Sequence, residues 1–187
     1  NFTTLTDPGD GSLLTLTNVF DVANANLLPT NSAVSLAAST ALDLGGTGQK
    51  IGGLSGSGTV TNGTLNVNGV IAPGGIGSID TLTLALSTAT VTNMATLGGS
   101  LHVDVSYEGT CDLLAVAGDV NLSNLSLVVE SGSSFDVKKT YTILSYSGSR
   151  NNTTFKSKSK PSGWGIVYEA SGDVKLKYLG STIIQLR

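Results

Sequence analysis

Short runs in which apolar and polar residues alternate constrain this chain more than any other feature of its sequence. In the run over residues 101–107, the odd-numbered residues are apolar or aromatic, and His102, Asp104 and Ser106 lie between them. Such alternation places successive side chains on opposite faces of a β-strand. Comparable runs recur at a spacing of about 8–12 residues, with Gly, Asn, Ser or Asp at the breaks. The pattern predicts an all-β protein, although residues 34–44 also fit a turn or two of helix.

A stack of parallel strands suits the composition better than a β-sandwich does. Glycine accounts for 24 of the 187 residues and aromatic residues for 5%, so aliphatic side chains and threonine must fill the interior. Glycine and asparagine at short intervals favour a right-handed parallel β-solenoid (β-helix), in which each coil buries its aliphatic residues against its neighbours. A β-sandwich or jelly roll is the alternative, and it usually carries more aromatic residues.

Most of the aromatic residues lie after residue 110, where the predicted strands are also longer. They are Phe135, Tyr141, Tyr146, Phe155, Trp164, Tyr168 and Tyr178. An open coil at the end of a solenoid is a strand edge that recruits other chains, so a hydrophobic cap is needed there. We therefore expect solenoid coils over residues 1–110 and a capping β region with a C-terminal hairpin over residues 111–187.

Charge is unevenly distributed along the chain. Residues 1–135 carry ten acidic residues and one basic residue, whereas residues 136–187 carry three acidic and nine basic residues. Residues 147–165 are polar and basic, and lysines at alternate positions would project to one side of an extended segment. The residues predicted to bind an anionic polymer, either an acidic glycan or nucleic acid without sequence specificity, are Arg150, Lys156, Lys158, Lys160 and Trp164. The alternative is a solvated loop that discourages aggregation at a strand edge.

A nucleophilic triad needs a serine, a histidine and an acid within hydrogen-bond reach. The single histidine, His102, shares a predicted strand face with Asp104 and Ser106. Residues two apart on a strand are separated by about 6.6–7 Å, which is too far for a direct chain of hydrogen bonds. We therefore expect an outward polar face here, and no feature of the sequence pairs Cys111 with His102.

Two carboxylates suffice for an aspartic-type peptidase or a glycosidase. Asp43 and Asp80 begin the sequences Asp-Leu-Gly and Asp-Thr-Leu, each one residue away from the Asp-Thr/Ser-Gly sequence of aspartic peptidases. They are the catalytic candidates of this sequence. The competing interpretation is that such aspartates cap turns.

No metal or cofactor site is predicted. The single cysteine, Cys111, excludes a disulfide within the chain and a cysteine-based zinc cluster. Residues 7–11 lack the spacing of a calcium loop. The glycine-rich residues 45–50 and 52–58 lack the Lys-Ser/Thr ending and the following helix of a phosphate loop. Apolar runs stay shorter than about 18 residues, so no transmembrane helix is expected.

Residues 52–84 read GGLSGSGTVTNGTLNVNGVIAPGGIGSIDTLTL. This sequence resembles the passenger-associated transport repeat, also called the autotransporter-associated β-strand repeat. The matching positions are Gly53, Leu54, Gly56, Gly58, Thr59, Gly63, Leu65, Val67, Gly69, Ile71, Pro73, Gly74, Gly77, Leu82 and Leu84. Glycine at 56 and 58 permits tight corners, the Leu and Val positions stack inside, and Pro73-Gly74 turns the chain.

The downstream sequence resembles the same family. Asp112, Leu114, Val116 and Gly118 match its Asp-x-Leu-x-Val-x-Gly segment, and the resemblance extends over about residues 50–178. It implies a passenger domain of a bacterial protein that is exported to the extracellular space or the outer-membrane surface. Any export signal would lie upstream of Asn1.

Three functions are hypotheses at this point. The first is a secreted or surface-displayed structural, adhesin-like passenger module without catalytic activity. The second is a module that binds a host or matrix glycoprotein or polysaccharide, with no specific nucleic-acid partner. The third is a secreted aspartic-type peptidase that hydrolyses extracellular glycoproteins such as mucins.

Overall fold

The computed structural model describes residues 13–16, 20, 21, 28, 30–86 and 95–180. Within these residues the regular structure consists of β-strands. The earlier strands are β1 (Leu13–Leu16), β2 (Phe20–Asp21), β3 (Ala33–Leu36), β4 (Ala41–Asp43), β5 (Gly48–Ile51), β6 (Gly53–Gly56), β7 (Thr59–Thr61), β8 (Thr64–Val67), β9 (Val70–Pro73) and β10 (Thr81–Ala85). The later strands are β11 (Ala95–Leu97), β12 (Gly99–Val103), β13 (Leu113–Val116), β14 (Val120–Asn121), β15 (Leu125–Val129), β16 (Thr140–Tyr146), β17 (Lys158–Ser159), β18 (Trp164–Tyr168) and β19 (Asp173–Tyr178).

The described strands form three sheets, here called A, B and C. Sheet A has the order β1-β3-β6-β9-β12-β15-β17, sheet B the order β18-β19-β16-β13-β10-β7-β4-β2, and sheet C the order β14-β11-β8-β5. Each coil visits the sheets in turn, as β3, β4 and β5 do, and the next coil pairs with it in parallel. This is the solenoid-like arrangement expected from the sequence. A β-sandwich or jelly roll, by contrast, is built from antiparallel pairs.

Matching registers place aliphatic side chains in columns inside the solenoid. One column of sheet A consists of Val34, Leu54, Ile71, Leu101 and Leu127, each opposite the next. An equivalent column of sheet B consists of Leu42, Val60, Leu84 and Val116. The sheet A column is at most 1% exposed. Full burial of such a side chain contributes about 1.5–3 kcal/mol, so the columns are a main source of stability.

The corner between sheets A and B depends on Gly56. Its φ is +95°, and a Cβ added there would lie 2.0 Å from the carbonyl oxygen of Leu36 in the preceding coil. The left-handed backbone and this close approach both exclude a side chain. The prediction that glycine permits a tight corner at this position is confirmed.

Residues 34–44 fold as two strands joined by a turn, and the helical alternative is wrong. The turn lies between β3 and β4, where Ser39 adopts a φ of +63°. The Thr40 N–H donates to the carbonyl oxygen of Ala37 at 3.1 Å. The buried positions alternate on both strands, which ties each of them to a sheet and not to a helix.

Sheet B changes to antiparallel pairing at its C-terminal end. Strand β19 pairs antiparallel with both β16 and β18, which confirms the expected C-terminal hairpin. Parallel pairing continues past residue 110, because β12 pairs with β15 and β13 pairs with β16. The change in pairing therefore comes later than the predicted boundary, and the division into domains 1–110 and 111–187 stays a prediction.

Candidate functional site

Three polar side chains on the outer face of sheet A form a continuous chain of hydrogen bonds. Ser100 Oγ lies 2.8 Å from His102 Nε2. His102 Nδ1 contacts Glu130 Oε1, and the side chains of His102 and Glu130 are each 19% exposed. The order of groups is that of a nucleophile, a base and an orienting acid.

Strand alternation and register bring these residues together. Ser100 and His102 occupy outward positions of β12 and alternate with the buried Leu101 and Val103. Strand β15 pairs with β12 so that Val129 lies opposite Val103. Glu130 follows directly and donates its backbone N–H to the Val103 carbonyl oxygen at 2.9 Å. Its carboxylate thus reaches His102 across 28 residues of sequence.

The spacing argument made from the sequence fails for Ser100 and His102. A separation of about 7 Å applies to the Cα atoms of residues two apart on a strand. Strand side chains lean along the strand direction, and the imidazole ring is long enough to span the gap. Sequence reasoning therefore missed this pair, although a serine two residues before the single histidine was visible in the sequence.

Asp104 and Ser106, which the alternation placed beside His102, have other partners. Strand β12 ends at Val103, so the outward face ends at His102. Asp104 is 8% exposed. Ser106 Oγ lies 2.7 Å from Thr110 Oγ1. The chain turns between Val105 and residue 111, and the turn removes both side chains from the face of sheet A.

In the neutral form of the His102 imidazole, the contacts with Glu130 and Ser100 correspond to one tautomer. A carboxylate only accepts hydrogen bonds, so Nδ1–H donates to Glu130. The lone pair of the neutral ring is then on Nε2, where it accepts the hydroxyl proton of Ser100. This is the tautomer that a general base requires.

An apolar cleft lies next to Ser100 on the same face. It encloses about 460 Å³, and its lining includes Ala33, Gly53, Val70, Ala72 and Ile76. Val70 and Ile76 are 41% and 64% exposed. Val70 is the register partner of Ser100 on the adjacent strand. Exposed apolar side chains gathered around a cleft are typical of a binding surface.

A group of aspartates ties together the loops before β10 and β13. Asp112 is 1% exposed, and its carboxylate accepts the backbone N–H groups of Asp80 and Asp104, each at 2.8 Å. Asp104 accepts the N–H of Gly77 at 2.7 Å. Burial raises the pKa of Asp112 to about 6, although its two backbone hydrogen bonds act in the opposite direction. The arrangement positions loops and is not a pair of carboxylates sharing a cleft.

The two predicted catalytic acids, Asp43 and Asp80, are not brought together. The Asp43 carboxylate accepts the Gly45 N–H at 2.8 Å and an Asn62 amide hydrogen at 3.0 Å, which caps a turn. Asp43 ends β4, whereas Asp80 precedes β10 in the same parallel sheet. The two are more than about 10 Å apart along the strand direction. Carboxylates that share a proton must lie about 3 Å apart.

The thiol of Cys111 is half-buried. Burial, and to a smaller extent the neighbouring Asp112 carboxylate, raises the pKa of Cys111 to about 12. The thiol donates to the Thr142 carbonyl oxygen at 3.2 Å, so its hydrogen-bond partner is the backbone and not His102. The thiolate needed for nucleophilic attack does not form at neutral pH.

The predicted ligand-binding residues of the basic segment have different surroundings. Lys156 and Lys158 are exposed and Lys160 is half-buried. Trp164 is 5% exposed and lies in an aromatic cluster with Phe135, so its ring offers no free face to a ligand.

Arg150 occupies a more enclosed position than the lysines. Its guanidinium lies 4.6 Å from the centroid of the Tyr168 ring. Its Nε and Nη1 atoms are buried and have no hydrogen-bond acceptor among the described residues. A cavity of about 390 Å³ is lined by Arg150 together with Ser149, Asn151 and Asn152. Buried guanidinium donors without acceptors are costly, so this position favours an anionic group.

The remaining predictions concern metals, phosphate and membranes. Residues 7–11 lie outside the described residues. Residues 48–50 of the glycine-rich segment 45–50 belong to β5, so the segment leads into a strand and not into a helix. In the described ranges, no three His, Cys, Asp or Glu side chains are placed to hold a metal ion. The same part of the chain has no helix with the length and hydropathy needed to cross a bilayer.

Comparisons with protein-family models, curated proteins and solved structures find no match to this chain.

Proposed function

We propose that this chain is a structural, adhesin-like module of the autotransporter passenger type, secreted by a bacterium or displayed on its outer surface. The observation that supports the proposal is the buried column of Val34, Leu54, Ile71, Leu101 and Leu127. Because each coil meets the next through the same kind of contact, stability is approximately a sum over neighbours and the molecule is elongated. Each coil adds about 4.8 Å to such a rod. A rod of this kind carries a binding surface away from a cell without needing a catalytic residue.

The repeat-like residues 52–84 support the family resemblance. They span β6 to β10, and the aliphatic positions of the motif are buried: Leu54, Leu65, Val67, Ile71, Leu82 and Leu84. Gly56 supplies a corner of the coil, as the motif requires. The proposal includes a right-handed parallel β-helix, since right-handed crossovers dominate between parallel strands.

Surface exposure is tested on intact cells of the organism that encodes the chain. Antibodies raised against the folded chain should label intact cells, or detect the chain in the culture medium. Protease added outside the cells should remove the cell-bound label and leave a cytoplasmic marker protein intact. A signal that appears only after lysis would contradict the proposal.

Binding of acidic glycans is a second candidate function, and the environment of Arg150 favours it. The buried Nε and Nη1 atoms lack acceptors in the described part of the chain, and Arg150 is one of the residues that line a polar cavity. A carboxylate or sulfate group would supply two charge-assisted hydrogen bonds. Exposed Lys156 and Lys158 would add attraction that salt weakens.

A sulfated polysaccharide immobilised on beads tests this second function. We expect retention at low salt that decreases steeply as salt is added, and about tenfold weaker binding for Arg150→Gln. Lys50→Gln is the matched control, because Lys50 is also a base but is exposed and precedes Arg150 by 100 residues in the sequence. Retention that Arg150→Gln and Lys50→Gln reduce equally, or no retention at low salt, would contradict it.

A further inference from the structure

We propose that Ser100, His102 and Glu130 form an acyl-transfer site that accepts carboxylic esters with an apolar acyl chain. This goes beyond the proposed display role, which needs no nucleophile. The proposal rests on a juxtaposition of two features on the outer face of sheet A. A serine–histidine–glutamate hydrogen-bond chain lies directly beside an apolar cleft, and the two meet at the register pair Ser100–Val70.

Ser100 differs from the neighbouring serine of the same outward column. Ser126 is its register partner on β15, and the Ser126 hydroxyl pairs with Ser157 Oγ at 2.8 Å. Ser100 instead contacts the single imidazole of the chain, whose other nitrogen is held by Glu130. A hydroxyl with an adjacent, oriented base is an activated nucleophile, whereas a hydroxyl paired with another hydroxyl is not.

The cleft defines the class of substrate. Ala33 lies opposite Gly53 in the outward face of sheet A, and Val70 on the next strand lies opposite Ser100. Gly53 has no side chain, and a Cβ added there would lie 3.0 Å from the Val70 carbonyl oxygen, so the backbone itself forms the floor. Val70 separates this floor from Ser100, so an acyl chain that extends from the cleft across Val70 brings its carbonyl carbon to Ser100 Oγ. A volume of about 460 Å³ is within the range of small-molecule sites.

The reaction balances with an ester and water as reactants. Ser100 Oγ attacks the ester carbonyl carbon while its proton moves to His102 Nε2, and Glu130 stabilises the imidazolium. The bond from the carbonyl carbon to the alkoxy oxygen breaks, and the leaving alcohol takes the proton from Nε2. Water then attacks the acyl-serine, gives a proton to Nε2, and releases the carboxylic acid as that proton returns to Ser100.

We expect an acyl-serine to form at Ser100, but turnover of the ester to be slow. The backbone N–H of Ser100 donates to the Gly69 carbonyl oxygen at 3.1 Å and is therefore engaged in the sheet. This N–H is therefore not free to stabilise the oxyanion. Loss of one preorganised oxyanion donor typically slows catalysis by about 10²–10³-fold. The informative measurement is therefore covalent labelling of the serine.

The first experiment treats the full chain with an alkyl fluorophosphonate and locates the adduct by mass spectrometry of its peptides. We expect one adduct, on Ser100, which Ser100→Ala abolishes and Ser126→Ala leaves unchanged. Mapping on the unaltered chain makes the result independent of how the variants fold. Absence of an adduct, or equal labelling of Ser100 and Ser126, would overturn the proposal.

Glu130 is a positioning residue, and its test separates orientation from folding. Glu130→Gln should slow labelling of Ser100 at least about tenfold, with an unchanged thermal unfolding transition. The single histidine permits a direct spectroscopic readout. The downfield proton signal of His102 Nδ1–H in the NMR spectrum should disappear in this variant. If Ser100 is labelled at an unchanged rate in Glu130→Gln, the positioning role of Glu130 is overturned.

The cleft is tested by varying the acyl chain of p-nitrophenyl esters. A burst of about one equivalent of nitrophenolate should appear with the octanoate, whose chain is long enough to cross Val70, and be at least about fivefold faster than with the acetate. Ile76→Ser should remove this preference, because Ile76 is 64% exposed and contributes to the cleft and not to the core. A preference that survives Ile76→Ser would place the acyl chain elsewhere and overturn the assignment of the cleft.

Discussion

The coils between residues 30 and 86 and the C-terminal end between residues 135 and 180 bury their interiors in different ways. The coils repeat aliphatic side chains in register, as Val34, Leu54 and Ile71 do. At the C-terminal end, Trp164 packs against Phe135, Tyr141 and Tyr178, with ring centroids 5.0, 5.7 and 5.6 Å apart. A repeated side chain extends a solenoid because each coil presents the shape that the next coil needs. An end has no next coil, so larger side chains and strands of reversed direction cover it.

The chain also changes direction differently in the two regions. In the coils, corners such as Gly56 pass so close to the preceding coil that a Cβ cannot fit. At the C-terminal end, the chain reverses through a hairpin in which the Glu169 N–H donates to the Asp173 carbonyl oxygen at 2.8 Å. Substitutions in the aromatic cluster should therefore act through packing, whereas a substitution at Gly56 should act through backbone geometry.

Trp164→Ala should have the largest effect on stability. The ring is 5% exposed at the centre of the aromatic cluster, and truncation of such a residue costs about 3–5 kcal/mol. Equilibrium unfolding in urea measures the change. Leu179→Ala, at a residue that is 64% exposed, is the control and should change the free energy of unfolding by less than about 0.5 kcal/mol. A loss below about 1 kcal/mol for Trp164→Ala would show that the aromatic cluster does not hold this end together.

Gly56→Ala should destabilise the coils by about 2–4 kcal/mol, since it combines left-handed backbone strain with a steric clash. Gly75→Ala is a matched control, because Gly75 also has a positive φ but an added Cβ there has no atom within 4 Å. The control should cost only the backbone strain. Equal losses for the two variants, measured by urea unfolding, would refute the importance of close approach between coils.

Asp112 lies between the two regions in the sequence. It should make the stability of the chain depend on pH. Its pKa is raised to about 6 when folded, against 3.8 for the ordinary group, so the folded chain binds more protons between these values. Stability from this group is therefore highest below about pH 4 and falls as the pH rises to about 6. Relative to Asp112→Asn, the unaltered chain should lose about 2–3 kcal/mol between pH 4 and pH 7. Free energies of unfolding that change by the same amount in the two proteins between pH 4 and pH 7 would contradict the expectation.

Lys175→Gln should have the smallest effect. Lys175 Nζ lies 2.5 Å from Glu169 Oε2 and 3.2 Å from Asp173 Oδ2 on the C-terminal hairpin. Hydrogen bonding to Lys175 lowers the pKa of Glu169, but the pair is accessible to solvent and screened by salt. We expect a small decrease in melting temperature that disappears at high salt. A decrease that persists at high salt would show that Lys175 acts through the packing of its aliphatic stem and not through its charge, and would contradict this expectation.

Alternation predicted the buried faces well wherever a strand continued. Leu82, Leu84 and Leu86 alternate with Thr81, Thr83 and Ala85 in the sequence, and all three leucines are at most 1% exposed. The same reasoning failed after Val103, because β12 ends there. Tyr107, expected on the inner face, is 59% exposed, and Asp104, expected outside, is buried. Side-chain periodicity holds only within a strand, and the sequence does not mark this end with glycine or proline.

The sequence by itself determined that this chain forms short strands with aliphatic inner faces, because alternation with period two acts locally on each strand. It also placed a hairpin near the C-terminus. Only the tertiary structure decided which strands are neighbours, since the loops between successive coils differ in length and any slip in register would change every pairing. That register alone brings Glu130 to His102 and Val70 to Ser100, and so creates the candidate site.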